Sequence, residues 1–427
     1  MPPKQHGRQY DVVVFGATGY TGKYTTQYIT THLPTDLKWA VSGRSQAKLE
    51  EVVAECKKLN PDRLQPDLEI CSLTDEDLAN LAQKTFILIT TVGPYGKLGE
   101  HAFKACAENG THYLDVTGEV PFTAKMIKKY ESTAKESGAL MFPQIGIESA
   151  PADLVTWSLA SFIRSEFSLT TRDVTVSLHT FKSAASGGTL STIFTILDNF
   201  TLTDLRAAYK PFALSPLPKP TTGQPPKPSL LTRLTGLVTI PSLGLLTTSP
   251  AGSTDAALVQ RSWGLLATVP SRERQFYGPR FSFREYLRPR NWLTGLAVHF
   301  GMVVLGLVIA TPWLRRVVAR KVVAFQPGEG PPAEVASGDE IEYRGIGRAD
   351  GGDGGGDDGG ERAICRAIFR GSAYYLTGIL LAEAASILLQ DDVELPGGVY
   401  TPACLGQPFI DRLGRAGFQF ETKRLEP

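Results

Sequence analysis

The stretch YDVVVFGATGYTGKY, residues 10–24, decides the fold. A short apolar run ends at Phe15, glycines follow at positions 16, 19 and 22, and a helical pattern begins at once. Strand, glycine turn and helix in immediate succession form the arrangement that receives a dinucleotide pyrophosphate. Gly16 permits the tight turn, Gly19 keeps a Cβ out of the path of the phosphates, and Gly22 lets the helix pack closely. The helix N-terminus then offers unpaired N–H groups to the anion. Thr18, Tyr20 and Thr21 line the same turn, and the two threonine hydroxyls add hydrogen bonds for phosphate oxygens.

The alternation continues outward. The runs DVVVF, WAVSG, LEICS, FILIT, THYLDV and ALMFP are separated by helical patterns at 22–32, 46–59, 75–83, 98–109 and 121–137. Strands that read as continuously apolar need cover on both faces, which predicts an α/β fold with a parallel, doubly wound sheet of the Rossmann type over residues 1–150. After Ala150 the pattern changes: VTVSLHTF, residues 174–181, alternates with period two, as a strand with one wet face does. A second α/β (α+β) domain with a mixed or antiparallel sheet is expected there. Residues 211–250 are rich in Pro, Ser and Thr and read as an irregular connector. The tract ADGGDGGGDDGG, residues 349–360, lies between two β-like runs and has no apolar residue after Ala349, so it reads as a hairpin tip; calcium binding by its acids is the lesser alternative.

Charge and cysteine usage narrow the class. Lys and Arg number 44 against 43 Asp and Glu, which provides no global attraction to nucleic acid, and none is expected as a partner. Cys56, Cys71, Cys106, Cys365 and Cys404 are odd in number and contain no C-x-x-C pair, so neither a disulfide framework nor a thiolate metal site is expected. No apolar leader precedes the first strand, and a cytoplasmic chain is the expectation.

One run stands apart. WLTGLAVHFGMVVLGLVIATPW, residues 292–313, carries no formal charge and would extend ~33 Å as a helix. Trp at both ends, Arg288 and Arg290 before it, and Arg315, Arg316, Arg320 and Lys321 after it suit a segment at a membrane or lipid surface. A buried helix of the second domain is the competing reading, which His299 with Gly295, Gly301 and Gly306 fits equally.

The end of the second strand selects the cofactor. An NAD site places Asp or Glu there for the ribose 2′-OH, whereas WAVSGRSQAKL puts Ser42, Gly43, Arg44 and Ser45 at that point. The Arg44 guanidinium and the hydroxyls of Ser42 and Ser45 suit a 2′-phosphate, so NADPH/NADP is expected. The fourth strand ends in TTVGPYG, where Thr91, Gly93 and Pro94 fall beside the nicotinamide ribose and Tyr95 is the first side chain beyond it able to donate a proton. The fifth ends in YLDVTGE, whose Asp115 and Glu119 serve either as acids on the same crevice edge or as helix caps. Tyr95, Glu119 and Asp115 are thus the candidate catalytic groups. A rival chemistry, a tyrosine activated by a lysine four residues later, lacks its pair, because none of the 14 tyrosines has Lys at that position.

The segments GATGYTG (16–22), SGRSQAKL (42–49), TTVGPYGKLGEHAFKACAENGTHYLDVTGE (90–119), GIESAPADL (146–154), SGGTLST (186–192), FSFREY (281–286), YYLTGILLAEAA (374–385) and GGVYTPACLG (397–406) together resemble the saccharopine dehydrogenase-like oxidoreductases over nearly the full chain. The resemblance implies an NADP-binding Rossmann domain over 1–150 and a second domain over 151–395 for substrate and dimerisation. It further implies a C-terminal segment, 396–427, that packs back on the first domain, and leaves room for a homodimer. Its cofactor contacts would be Gly16, Thr18, Gly19, Tyr20, Thr21, Gly22, Ser42, Arg44, Thr91, Gly93, Pro94 and Tyr95. Within the family the chain looks more like the lipid-associated relatives, including the bacterial trans-acting enoyl reductases, than like the lysine-pathway enzyme. A saccharopine substrate with several charges gains nothing from a long apolar helix, whereas an acyl or polyketide chain does. An NADPH-dependent reductase of a C=C bond in a hydrophobic acyl, polyketide or lipid substrate is therefore expected, associated with a membrane or lipid droplet. Ser149 and Asp153, where the chain leaves the first sheet, are further candidate groups. The alternative is a non-catalytic lipid-droplet or membrane-surface protein that retains the dinucleotide fold.

Overall fold

Every residue of β1 (Tyr10–Phe15) is buried, and the strand takes the interior of a parallel sheet. The computed structural model describes residues 4–181, 196–220, 228–311, 313–314, 317–318, 338–351 and 360–426. After β1 come α1 (Tyr20–His32), β2 (Trp39–Gly43), α2 (Gln46–Leu59), β3 (Asp67–Ile70), α3 (Asp75–Lys84), β4 (Thr85–Thr90), α4 (Tyr95–Leu98), α5 (Glu100–Asn109), β5 (His112–Asp115), α6 (Val120–Ser137) and β6 (Leu140–Phe142). The second half holds α7 (Ala150–Phe167), β7 (Thr171–Phe181), α8 (Leu202–Ala208), α9 (Leu230–Thr235), β8 (Val238–Ile240), β9 (Gly244–Thr248) and α10 (Gly252–Thr268). It continues with β10 (Ser282–Leu287), α11 (Trp292–Ala310), β11 (Glu340–Ala349), β12 (Arg362–Arg370), α12 (Ala373–Gln390), β13 (Gly398–Val399), α13 (Gly406–Arg415) and β14 (Gln419–Arg424).

The first sheet has the order β13-β6-β5-β4-β1-β2-β3, and all its pairings are parallel. Strand order reverses at β1, flanked by β2 on one side and β4 on the other, with Val14 opposite both Val41 and Ile89. Ligands of such sheets bind at the carboxyl ends of the strands beside that reversal. The second sheet, β14-β12-β11-β7-β10-β9-β8, is mixed: β7 and β10 run parallel, and the other pairings are antiparallel. β11 and β12 form the antiparallel pair that flanks the Gly/Asp tract, most of which lies outside the described residues, as does SGGTLST.

Helix α7 packs against the second sheet through Val155, Leu159 and Ile163. It sits close because β11 presents Gly345 and Gly347; a Cβ at those positions would lie 2.6 Å from Val155 and 2.9 Å from Ile163. Such spacing is below any real contact distance, so only glycine admits the helix.

Three expectations need correction. Helix α12 falls in the segment assigned to the second domain, yet it packs on α1 and the first sheet, with Gly378 against the α1 backbone at Tyr24 and Thr25. In the C-terminal segment β13 joins the first sheet as its seventh strand, but β14 pairs with β12 in the second, because the chain crosses between the domains twice after the end of β12 at Arg370. The Pro-rich connector is not wholly irregular: it contains α9 and the β8–β9 hairpin, which extends the second sheet.

Helices α11 and α12 are both long and apolar enough to cross a membrane by length and composition. Their surroundings differ: 78% of the α12 span is buried, against 6% of the α11 span. The buried-helix reading of residues 292–313 is therefore overturned. Only Gly295 of α11 is buried, and Trp292, Leu293, Phe300, Val303, Val304 and Leu307 face outward.

Candidate active site

The turn after β1 is built as its glycines require. Gly16 has φ +91°, and a Cβ there would sit 2.8 Å from both Thr91 Oγ1 and Val92 Cγ2. A Cβ on Gly22 would run into the Gly16 carbonyl, so the first turn of α1 is held against β1. The Gly16 N–H donates to the Ser42 carbonyl at 2.9 Å and the Gly19 N–H to the Gly16 carbonyl at 2.9 Å. Gly19 is the N-cap of α1 and no side chain caps it, which leaves the first N–H groups of that helix directed at whatever lies in the crevice. A pyrophosphate matches that donor set.

Beside it, Ser42 is fully buried, and its hydroxyl has no hydrogen-bond partner among the described residues. Arg44 and Ser45 follow on the exposed end of β2, and Ser45 leads into α2 without a side-chain cap. An orphan buried hydroxyl, an exposed guanidinium and a helix N-terminus converge where the adenosine ribose of an NADP would lie. The residues fit NADP. Thr18, Tyr20 and Thr21 are half-buried on the same turn, and the Thr91 hydroxyl donates to the Gly16 carbonyl at 3.1 Å, fixing the neighbouring strand end.

Of the three candidate catalytic groups, Tyr95 and Glu119 line the crevice and Asp115 is fully buried beside it. Tyr95 lines the crevice, but its hydroxyl donates to the Thr90 carbonyl at 2.9 Å and accepts from the Val116 N–H at 3.4 Å. Burial raises its phenol well above the ordinary range, so the group is a poor acid with its proton already engaged. Glu119 accepts from the N–H groups of Tyr95 at 2.7 Å and Gly96 at 3.0 Å, capping α4. Burial raises its carboxyl against the opposing pull of those two N–H groups. Asp115 accepts from Thr117 N–H and Gln144 N–H, both at 2.9 Å, and from the Tyr113 hydroxyl at 2.7 Å. It is pushed up to about 6 by burial, with the same hydrogen bonds opposing, and it holds the loop from β5 to the next strand. Asp153 likewise accepts from the Ser262 hydroxyl at 2.6 Å and the Ala403 N–H at 2.8 Å and ties α7 to the C-terminal segment. Of these acids Glu119 lines the crevice, and Asp115 and Asp153 are fully buried in hydrogen bonds that hold the adjoining segments.

What sequence reasoning missed is the far side. A cavity of about 530 Å³ is lined by Gly19, Tyr20, Thr21, Thr91 and Gly93 of the dinucleotide turn and its neighbour strand and also by Met302, Leu305 and Ile309 of α11. Its polar lining there comes from Glu148, Tyr209, Ser253 and Thr254. Tyr374 of α12 closes the mouth, its ring 4.8 Å from that of Tyr20. The one signal available was Glu148 within GIESAPADL; Tyr209, Ser253 and Thr254 occupy stretches with no motif.

Residues 12–141 match the family described as the saccharopine dehydrogenase NADP binding domain. The chain is similar over 97% of its length to a saccharopine dehydrogenase-like oxidoreductase of Bos taurus, at 28% identity and 97% coverage of that protein. It is equally similar, at 28%, to a protein named trans-acting enoyl reductase in Mycobacterium bovis, covering 98% of this chain and 99% of the other. A lipid droplet localized protein of Caenorhabditis elegans aligns at 28% identity over 97% of this chain and 98% of its own. Among solved structures, the saccharopine dehydrogenase (L-Glu forming) of Saccharomyces cerevisiae superposes over 98% of this chain and 100% of its own with a TM-score of 0.51; at 11% identity the likeness is one of fold.

Proposed function

We propose that the chain, whose residues 12–141 match the saccharopine dehydrogenase NADP binding domain, reduces a C=C bond of a hydrophobic acyl, polyketide or lipid substrate with NADPH. The observation that carries the reading is the course of the cavity. It joins the dinucleotide turn to the inner face of a helix whose outer face is apolar and exposed, so an acyl chain laid along Met302, Leu305 and Ile309 ends beside the nicotinamide position.

NADPH, when bound, supplies the hydride that goes to the β-carbon of an unsaturated thioester or ketone. The chain itself does the rest. The α1 N-terminus and the glycine turn hold the pyrophosphate, while Ser42, Arg44 and Ser45 hold the 2′-phosphate. Thr91, Gly93 and Pro94 bound the nicotinamide end. Charge develops on the substrate carbonyl oxygen as the double bond is reduced and requires a hydrogen-bond donor. The hydroxyls of Tyr209 and Thr254 in the cavity wall take the part that Tyr95 cannot play. Apolar walls exclude water and strengthen that hydrogen bond.

The outer face of α11 supports placement at a lipid surface. Leu230, Leu231 and Leu234 of α9 are also exposed, and α9 is keyed to α11 where Gly236 meets the His299 ring and Leu237 meets Gly295. Two adjoining apolar elements make an exposed apolar surface of the kind that contiguous patches at membrane or protein contacts have. The C. elegans relative's name agrees with a droplet surface. It also supports a second reading, a lipid-surface protein that holds NADP without turnover.

NADPH oxidation measured against enoyl thioesters, unsaturated ketones and saccharopine tests the proposal. Consumption with long-chain enoyl substrates and none with saccharopine is expected. Tight NADPH binding with no oxidation across the panel would decide for the non-catalytic reading.

A further inference from the structure

Helix α11 is held to the rest of the chain at one end only. Thr247 Oγ1 donates to the Gly295 carbonyl at 2.8 Å, Thr248 Oγ1 and His299 Nδ1 lie 2.8 Å apart, and Gly236 and Leu237 pack against the same two turns. Beyond His299 no residue of the helix hydrogen-bonds to another element among the described residues, and a Cβ on Gly301 or Gly306 would meet nothing within 4 Å. This farther half nevertheless supplies Met302, Leu305 and Ile309 to the cavity, at helical spacing. These three are half-buried, and Val303, Val304, Gly306 and Leu307 between them are exposed. The cavity wall on that side is one helix thick, with an apolar surface beyond it.

The cavity lining holds acids but no base. Glu119 and Glu148 belong to it, and no Lys, Arg or His does among the described residues. A carboxylate, sulfonate or phosphate on the substrate would lie beside those acids with no cation to pair with, which an apolar site does not tolerate. A carbonyl or hydroxyl oxygen is served instead by the hydroxyls of Tyr209, Ser253 and Thr254. The cations stand outside: Arg288 and Arg290 are exposed just ahead of Trp292, which is 57% exposed, and Trp313 past the other end of the helix is 68% exposed. Arginines and tryptophans at the ends of an apolar helix match the anionic interface of a lipid layer.

We propose that the substrate is an uncharged lipid taken directly from the hydrocarbon phase of a lipid layer, past the free half of α11 into the cavity, and that ionised lipids are kept out. The inference narrows the reductase reading above and rests on it for the reaction, though not for binding. An apolar chain that passes from lipid to cavity never crosses water, so it keeps the hydrophobic free energy that holds it in the layer. An anionic headgroup would lose its hydration and gain no partner, so it stays at the interface.

Photolabelling from phosphatidylcholine vesicles tests the route, with a diazirine-bearing long-chain methyl ketone and the alkyl sulfonate of the same length. In the NADPH-bound protein the ketone should label the cavity around Met302, Leu305, Ser253 and Thr254, and the sulfonate should label it about 10-fold less. Leu305→Trp fills the cavity from a part-exposed position and should lower ketone labelling there on the order of 10-fold with NADPH affinity unchanged; Ile309→Trp serves if the first variant does not fold. Phe300→Glu combined with Val304→Glu should lose cavity labelling from vesicles yet keep it when the ketone is presented on cyclodextrin. Equal labelling by ketone and sulfonate, undiminished vesicle labelling in the outer-face pair, or outer-face cross-links that join two copies of the chain in place of lipid overturns the proposal. A cavity labelled by the ketone in a protein that oxidises no NADPH with any unsaturated lipid refutes the reductase reading while the lipid site stands. NADPH oxidation with enoyl substrates in a protein whose cavity the ketone never labels refutes the lipid route and leaves the reductase reading intact.

Discussion

Arg44 is the residue on which we propose that cofactor choice turns, since it stands exposed where an NAD enzyme would carry an acid. Arg44→Ala removes a charge-assisted pairing and should weaken NADPH binding roughly 10- to 100-fold, leaving NADH within about twofold. Titration with both nucleotides checks this, and equal losses would sink the 2′-phosphate assignment. Gly22→Ala tests the turn itself: the new Cβ meets the Gly16 carbonyl, so α1 must move off the strand. A loss of about 1–3 kcal/mol in unfolding free energy is expected together with failure to bind NADPH. The packing role of Gly22 was legible because it depends on a neighbour within a few positions of the chain. Tyr95 was not. Its position at the strand end was right for a donor, but the Thr90 carbonyl that takes its proton is placed by the path of the loop, which no spacing rule contains.

At the scale of elements, α11 has two faces with different tasks. Gly295, Val298, His299, Met302, Leu305 and Ile309 form an inner stripe at helical spacing that packs or lines the cavity, while Phe300, Val303, Val304 and Leu307 look outward. Deleting residues 292–313 would therefore remove a cavity wall along with any lipid contact, and point substitutions on the outer face are the cleaner probe. Phe300→Glu combined with Val304→Glu should abolish co-flotation with phospholipid vesicles or droplets, because each charge costs about 2–3 kcal/mol in hydrocarbon. Unfolding free energy should stay within about 1 kcal/mol, since both side chains are already exposed. Undiminished flotation would leave the exposed face without a lipid role. Hydropathy found this helix and also found α12, which passes the same test of length and composition. Pattern alone could not separate them, because the difference lies in what covers each: α1 and the first sheet for α12, nothing among the described residues for the outer side of α11.

Across the whole molecule, a buried acid ties the second domain to the C-terminal segment. Asp153 joins α7, α10 and the C-terminal segment, and burial pushes its carboxyl up to about 7, far above the usual carboxylate value near ~3.9. Its folded-state value is the higher one, so its contribution to stability is full below ~4 and is lost as pH rises towards 7, at about 1.4 kcal/mol per pH unit. Thermal unfolding between pH 4 and 8 should show a smaller decline for Asp153→Asn than for the wild type; parallel declines would show that Asp153 does not carry the effect. The first domain was readable in advance because each of its strands is covered by the helix beside it in sequence, so local period and glycine spacing already contain the packing. The sequence by itself determined that parallel sheet, its phosphate turn and the preference for NADP. Only the tertiary structure decided which acids are buried as scaffold and which apolar helix is left uncovered, since burial depends on partners more than a hundred residues away and hydropathy carries no record of them.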